Sequence, residues 1–143
     1  MIGKATSPVT VVPAEASLIL EKVLLATDGS VYSQKASLWA IGFCQKLGNI
    51  LLVLSVAKTE NGVSFAEECV KSAEEKAKNQ GVKTESLILK GEPFEKILET
   101  SSQKGIDLIV MGCKGKTGIE KILMGSLTER VIEDSKASVV VLK

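Results

Sequence analysis

Residues 106–112 read Ile-Asp-Leu-Ile-Val-Met-Gly, an almost unbroken apolar run that stops at a glycine. Short apolar runs bounded by turn residues are typical of strands buried on both faces, as in parallel sheets. Three runs have the same character: Lys-Val-Leu-Leu-Ala-Thr at 22–27, Ile-Leu-Leu-Val-Leu-Ser-Val at 50–56 and Ala-Ser-Val-Val-Val-Leu at 137–142. A looser alternation at 82–89 predicts one more strand. The sequence therefore predicts a sheet of five strands.

Helical patterns separate these strands. Apolar side chains recur at helical spacing over residues 30–47, and further helices are predicted at 64–80, 92–104 and 126–134. Because strands and helices alternate, each helix is expected to cross over between parallel strands in the right-handed sense. We predict a single-domain α/β fold, an open parallel five-stranded sheet with helices on both faces, Rossmann-like in architecture.

The first residues of the chain lie outside this pattern. We place an N-terminal extension at 1–20 and the α/β domain at 21–143. Pro8, Pro13 and Glu15 interrupt the extension before the apolar core of a signal peptide can form. We expect this segment to be poorly ordered or docked on the domain.

The charge balance and the cysteine count exclude several classes of protein. The 143 residues include 18 basic and 17 acidic side chains, a net charge of +1, so neither nucleic acid nor an anionic membrane is favoured as a partner. The three cysteines form no CxxC pair and histidine is absent, which excludes a Cys/His zinc site of the usual spacing. Sparse cysteines are typical of a reducing compartment, and we expect a cytoplasmic protein.

Glycines cluster after the strand at 106–112. Gly112 and Gly115 are followed, after nine intervening residues, by Gly125 and Ser126. A glycine lets backbone N–H groups approach a phosphate closely, and a helix that begins at Ser126 offers free N–H groups and hydroxyls to an anion. Ligands of open α/β sheets lie beyond the carboxyl ends of the strands. The pattern therefore predicts a phosphate site, with the alternative that the glycines only make turns.

Four other residues near the carboxyl ends of the predicted strands each have two interpretations. Lys114 and Lys116 either neutralise phosphate charge or are simply solvated. Asp28, at the end of the first strand, either accepts hydrogen bonds from a ribose hydroxyl or an adenine amine, or makes an Asx turn or N-cap for the next helix. Cys113 either gates the site by redox chemistry or is a small residue tolerated in a loop.

Several motifs together resemble the universal stress protein family. They are Thr27-Asp-Gly-Ser, Gly91-Glu-Pro, Asp107-Leu-Ile-Val-Met-Gly and Gly112-x2-Gly115-x9-Gly125-Ser126. The resemblance covers about residues 21–143 and includes the order of the elements. It implies an adenine nucleotide alpha hydrolase-like fold with strand order 3-2-1-4-5, and it places this chain with the members that bind ATP.

The resemblance also implies the residues that hold the nucleotide. Those expected beside the base and the ribose are Ala26, Thr27, Asp28 and Val56. Those expected along the ribose and the phosphates are Met111, Gly112, Lys114, Gly115, Gly125, Ser126, Leu127 and Thr128. Lys114 departs from the family, whose members often carry arginine or histidine there. The family further implies a divalent cation, Mg²⁺ or Mn²⁺, that is held by the phosphates and not by a protein cage.

The last predicted strand raises the question of assembly. Family members commonly form homodimers through this strand, and Ser138–Leu142 is an apolar edge that must be covered or paired. Either a homodimer forms through it, or the N-terminal extension covers it within one chain.

We predict a nucleotide-dependent regulatory or stress-response protein whose output depends on bound ATP. One alternative is a slow ATPase or a nucleotidyl transferase. Phosphoryl transfer needs a positioned nucleophile and added charge stabilisation, yet no Walker lysine-serine pair, histidine or carboxylate pair lies near the loop. Another alternative is a dimeric scaffold that binds no nucleotide.

Phosphorylation of Ser126 or Thr128 would compete with nucleotide phosphates by charge and by space.

Overall fold

The computed structural model describes residues 8–13, 20–114 and 124–143. These residues form a six-stranded sheet and four α-helices. The elements in chain order are β1 Val9–Val11, β2 Val23–Ala26, α1 Val31–Leu47, β3 Leu51–Ala57, α2 Val63–Asn79, β4 Thr84–Lys90, α3 Pro93–Gln103, β5 Leu108–Gly112, α4 Ser126–Asp134 and β6 Ser138–Leu142. Each helix and strand predicted from the sequence is present, with ends within about two residues of the predicted ones.

The sheet is mixed, with strand order β1-β6-β5-β2-β3-β4. Strands β2 to β6 run parallel to one another, and β1 lies antiparallel against β6. Counted among themselves, the five parallel strands follow the expected order 3-2-1-4-5. The prediction of a purely parallel five-stranded sheet is wrong in detail, because the N-terminal extension contributes a sixth strand.

That sixth strand covers the apolar edge at Ser138–Leu142. Val9 pairs with Val141 and Val11 with Val139, so the outer N–H and C=O groups of β6 meet backbone partners within one chain. Val9-Thr-Val11 is a run of β-branched residues, which suits a strand. Of the two interpretations of the edge at Ser138–Leu142, the structure shows cover by the N-terminal extension within one chain.

Two apolar layers explain why the strands read as continuous apolar runs. One layer packs α1 and α2 on the sheet and includes Ala40, Val70 and Leu25. The other packs α3 and α4 on the opposite face and includes Ile97 and Val131. Every residue of β5 and β6 is buried, because both faces of these strands are covered.

Candidate functional site

A cavity of about 600 Å³ lies at the carboxyl ends of the parallel strands. Its lining includes the ends of β2 and β5, which pair in parallel. Helix α1 follows β2 on one face of the sheet, and α4 follows β5 on the other. This is the point where the strand order reverses, and ligands of open α/β sheets settle there. The volume is that of a site for a small organic ligand.

The cavity brings together the residues that the sequence analysis singled out. From β2, β3 and the turn after β2 come Ala26, Thr27, Asp28 and Val56. From the end of β5 and the start of α4 come Met111, Gly112, Lys114, Gly125, Ser126, Leu127 and Thr128. Gly115 and Lys116 lie outside the described residues. The remaining residues of the predicted site line one continuous space.

The turn after β2 places a carboxylate at one wall of this space. Asp28 Oδ1 accepts a 2.9 Å hydrogen bond from the backbone N–H of Ser30, which is an Asx turn. The N-cap of α1 is Ser30, whose hydroxyl oxygen accepts from the N–H of Ser33 at 3.1 Å. Since an ionised carboxylate has several acceptor positions, Asp28 can keep this turn and still accept a hydrogen bond from a ligand.

Gly112 is required by the packing of α1 against β5. A Cβ at this position would lie 2.7 Å from Tyr32 Cβ and 2.8 Å from the Tyr32 carbonyl carbon. Backbone atoms of a helix cannot yield as the end of a flexible side chain can. The predicted reason for this glycine, a close approach of backbone to phosphate, is therefore incomplete.

The second glycine joins the loop to the next helix. The N–H of Gly125 donates a 2.7 Å hydrogen bond to the carbonyl oxygen of Cys113, and a Cβ on Gly125 would lie 3.2 Å from Lys114 Cα. Gly125 is the N-cap of α4, and no side chain among the described residues caps this end. Ser126, Leu127 and Thr128, whose N–H groups have no partner within the helix, line the cavity at the positive end of the helix dipole.

Lys114 adds a full positive charge at this end of the cavity. Only 7% of the residue is exposed, and its ammonium nitrogen lies 5.2 Å from the centre of the Tyr32 ring. Aromatic rings attract cations through their faces. The interpretation of Lys114 as a simply solvated lysine is therefore wrong.

Cys113 lies beneath the same wall but is poorly suited to redox chemistry. The residue is buried, and burial raises the pKa of its thiol above the usual value, an effect that the nearby Lys114 ammonium partly opposes. A raised pKa keeps the thiol protonated, and the thiolate is the reactive form. The structure favours a small buried residue over a redox gate.

Several lining residues were not predicted from the sequence. They include Ser30, Ser33, Lys58, Phe65, Glu92, Pro93, Ile97 and Arg130. Arg130 follows Ser126 by four residues, a spacing that places both on one helix face and that could have drawn attention to it. Phe65 carries no such signal, because α2 brings it to the cavity from a distant part of the chain.

Comparison with known proteins agrees with this geometry. Residues 20–143 match the Universal stress protein family. The chain belongs to the universal stress protein family. Universal stress protein MJ0531 of Methanocaldococcus jannaschii is 32% identical over 141 residues, covering 87% of this chain and 83% of the relative. The resemblance drawn from the motifs is thus confirmed.

Solved structures of the family share the fold. Protein MJ0577 superposes with a TM-score of 0.74 at 28% identity, covering 87% of this universal stress protein and 97% of MJ0577. A universal stress protein solved in complex with cAMP superposes with a TM-score of 0.72 at 25% identity, covering 86% of this chain and 96% of the other. Across the described ranges of this chain, no helix is long and apolar enough to cross a membrane.

Proposed function

We propose that this universal stress protein binds an adenine nucleotide, with ATP as the expected ligand, in the cavity at the carboxyl ends of β2, β3 and β5. Binding would control a regulatory output in the stress response. The observation that carries the proposal is the convergence of the motif residues from separate segments on one cavity of suitable size. The cAMP complex of a related protein supports the same class of ligand.

The two ends of the cavity differ in chemistry, as the two ends of a nucleotide do. Asp28 and Val56 offer a hydrogen-bond acceptor and an apolar surface to a base and ribose. At the other end, Lys114 and the free N–H groups that begin at Ser126 offer positive charge to phosphates. The ligand is therefore expected to lie with its phosphates over the N-terminus of α4.

A divalent cation would be held mainly by the nucleotide. Among the described residues no group of three or more His, Cys, Asp or Glu side chains could hold a metal ion. Mg²⁺ typically takes one or two protein oxygens together with phosphate oxygens and waters. The cation would enter with the phosphates and screen their charge.

Binding is favoured over turnover by the described part of the cavity. The carboxylates among its described lining residues are Asp28 and Glu92, and the proposed binding mode uses Asp28 for the base or the ribose. Phosphoryl transfer needs a group that positions the attacking water, and the described lining offers no histidine for that task. Phosphate release that survives extensive purification would instead support a slow ATPase.

Calorimetric titration with ATP and adenosine tests the proposal. Ser126 is exposed at the first position of α4, so Ser126→Asp is tolerated by the helix but puts negative charge where a phosphate would bind. We expect this variant to lose at least about tenfold in ATP affinity. Ser102→Asp, which adds the same charge near the exposed end of α3 and outside the cavity lining, is the matched control. No ATP binding by the unmodified protein at millimolar nucleotide would refute the proposal.

A homodimer through Ser138–Leu142 and a cytoplasmic location stay predictions. Since β1 pairs with β6 in the structure, a dimer through β6 requires β1 to leave that edge. Light scattering on the full chain and on a variant lacking residues 1–13 tests this directly. We expect the shortened chain to associate more strongly, because its β6 edge is unpaired.

A further inference from the structure

Arg130 reaches the cavity although it belongs to none of the motifs that predicted the site. It lies on α4, four residues after Ser126, and both residues line the cavity. Side chains four residues apart share a helix face, and each points toward the N-terminus of its helix. The guanidinium of Arg130 is therefore directed toward the end of α4 that begins at Ser126.

An aromatic ring holds this guanidinium in place. The central carbon of the Arg130 guanidinium lies 3.8 Å from the centre of the Phe94 ring. Phe94 stands in the first turn of α3, next to Pro93, which also lines the cavity. A planar guanidinium stacks on an aromatic face and keeps its N–H donors at the edge of the plane.

The charge of Arg130 is not neutralised by a carboxylate within the described ranges. The ion pairs found there join Lys90 to Glu60 and Lys96 to Glu99. A positioned arginine beside a cavity, without an acidic partner in this part of the chain, is suited to an anionic ligand.

Two cationic residues near the start of α4 thus line the same cavity. Lys114 comes from the segment after β5, and its Cα would lie 3.2 Å from a Cβ on Gly125. Arg130 comes from the second turn of α4 itself.

We propose that Arg130 is a further phosphate-binding residue of this site and that Phe94 is its positioning residue. The ligand class is a nucleoside phosphate, and the contact would be made by guanidinium N–H groups to phosphate oxygens. A guanidinium can donate two parallel hydrogen bonds to one phosphate, which a lysine ammonium cannot do with the same geometry. The inference rests on the proposed nucleotide site and adds to it a source of preference for nucleotides over nucleosides.

Calorimetric titrations with adenosine and with AMP separate a phosphate contact from a structural role. In Arg130→Gln we expect AMP affinity to fall about tenfold or more, the loss typical of a charged hydrogen bond, while adenosine affinity stays unchanged. Arg130→Lys is expected to restore part of the loss, and Phe94→Leu to lose less than Arg130→Gln. Lys136→Gln, which removes an exposed positive charge just beyond α4, is the matched control.

Salt dependence gives a second readout. Added salt should weaken AMP binding more steeply in the unmodified protein than in Arg130→Gln. The variant lacks one charged contact to the phosphate, so less of its binding free energy is screened by salt. Equal losses for adenosine and AMP, or unchanged AMP affinity in Arg130→Gln, would overturn the inference while leaving the nucleotide site in place. If the unmodified protein bound neither ligand, the proposed function and this inference would both fail.

Discussion

The hydroxyl of Thr128 donates a 2.9 Å hydrogen bond to the backbone carbonyl oxygen of Gly112. This buried bond joins the first turn of α4 to the last residue of β5. A hydroxyl has one hydrogen to donate, so the Thr128 side chain has none left for a phosphate oxygen. Any contribution of Thr128 to anion binding comes from its backbone N–H, whereas the sequence pattern had indicated the hydroxyl as well.

Removal of this hydroxyl should destabilise the fold. In Thr128→Val the carbonyl of Gly112 loses its partner in a buried environment, which costs about 1–3 kcal/mol of the free energy of unfolding. Thr128→Ser keeps the hydroxyl and should retain most of the stability. Urea denaturation measures both variants. A Thr128→Val variant as stable as the unmodified protein would show that this hydrogen bond contributes nothing net.

Two glycine-to-alanine substitutions should change stability in opposite directions. Gly112→Ala places a Cβ against the backbone of Tyr32, and overpacking of this kind costs about 1–3 kcal/mol. Gly42 lies inside α1, and a Cβ added there would meet open space, with nothing within 4 Å, so Gly42→Ala should stabilise by about 0.5–1 kcal/mol. Thermal unfolding of both variants checks the signs. A similar shift for both would contradict the close approach of α1 to β5.

Phe65 should contribute to recognition of the base. Its side chain is 41% exposed and lines the cavity, and its Cζ would lie 2.8 Å from a Cβ on Gly29, beside Asp28. Stacking of a base on an aromatic ring is worth about 1–3 kcal/mol. Phe65→Ala should therefore weaken AMP binding about tenfold while ribose 5-phosphate binds as before.

A matched control for this prediction is available on α1. Leu38 is 62% exposed and lies outside the cavity lining, so Leu38→Ala removes a large apolar side chain without touching the site. It should leave the affinity for AMP unchanged. Equal losses of AMP and ribose 5-phosphate in Phe65→Ala would mean that the ring supports the site without contacting the base.

Cys44 should make stability depend on pH in the alkaline range. The residue is 1% exposed, and burial raises the pKa of its thiol from 9.0 to about 11. Between these values the unfolded thiol ionises while the folded thiol keeps its proton, so the folded state binds more protons and loses stability as pH rises. The stabilising contribution of the thiol is complete below pH 9 and is lost as pH approaches 11.

Comparison with Cys44→Ala isolates this effect from other groups that titrate in the same range. The difference in the free energy of unfolding between the two proteins should shrink from pH 9 to pH 11, as measured by urea denaturation at each pH. A difference that stays constant over this range would contradict the raised pKa.

Local sequence patterns were sufficient for most of the fold. The apolar run at 106–112 and the helical spacing at 30–47 each depend on neighbouring residues, so both elements were predicted close to their observed ends. The strand at Val9–Val11 was not predicted, because a run of four residues between Pro8 and Pro13 has no distinguishing period. It forms because β6 offers an unpaired edge.

The same division applies to the candidate site. The glycine spacing placed the site at the end of β5, since turn and helix-start signals are local. The bond from Thr128 to Gly112, the stacking of Arg130 on Phe94 and the approach of α1 to Gly112 join residues far apart in the chain. Such contacts depend on how helices cross the finished sheet, and no short stretch of sequence contains that information. The sequence by itself determined the helices and strands, because their periodicity is local. Packing between distant elements decided the hydrogen-bond donors, cations and close contacts of the cavity.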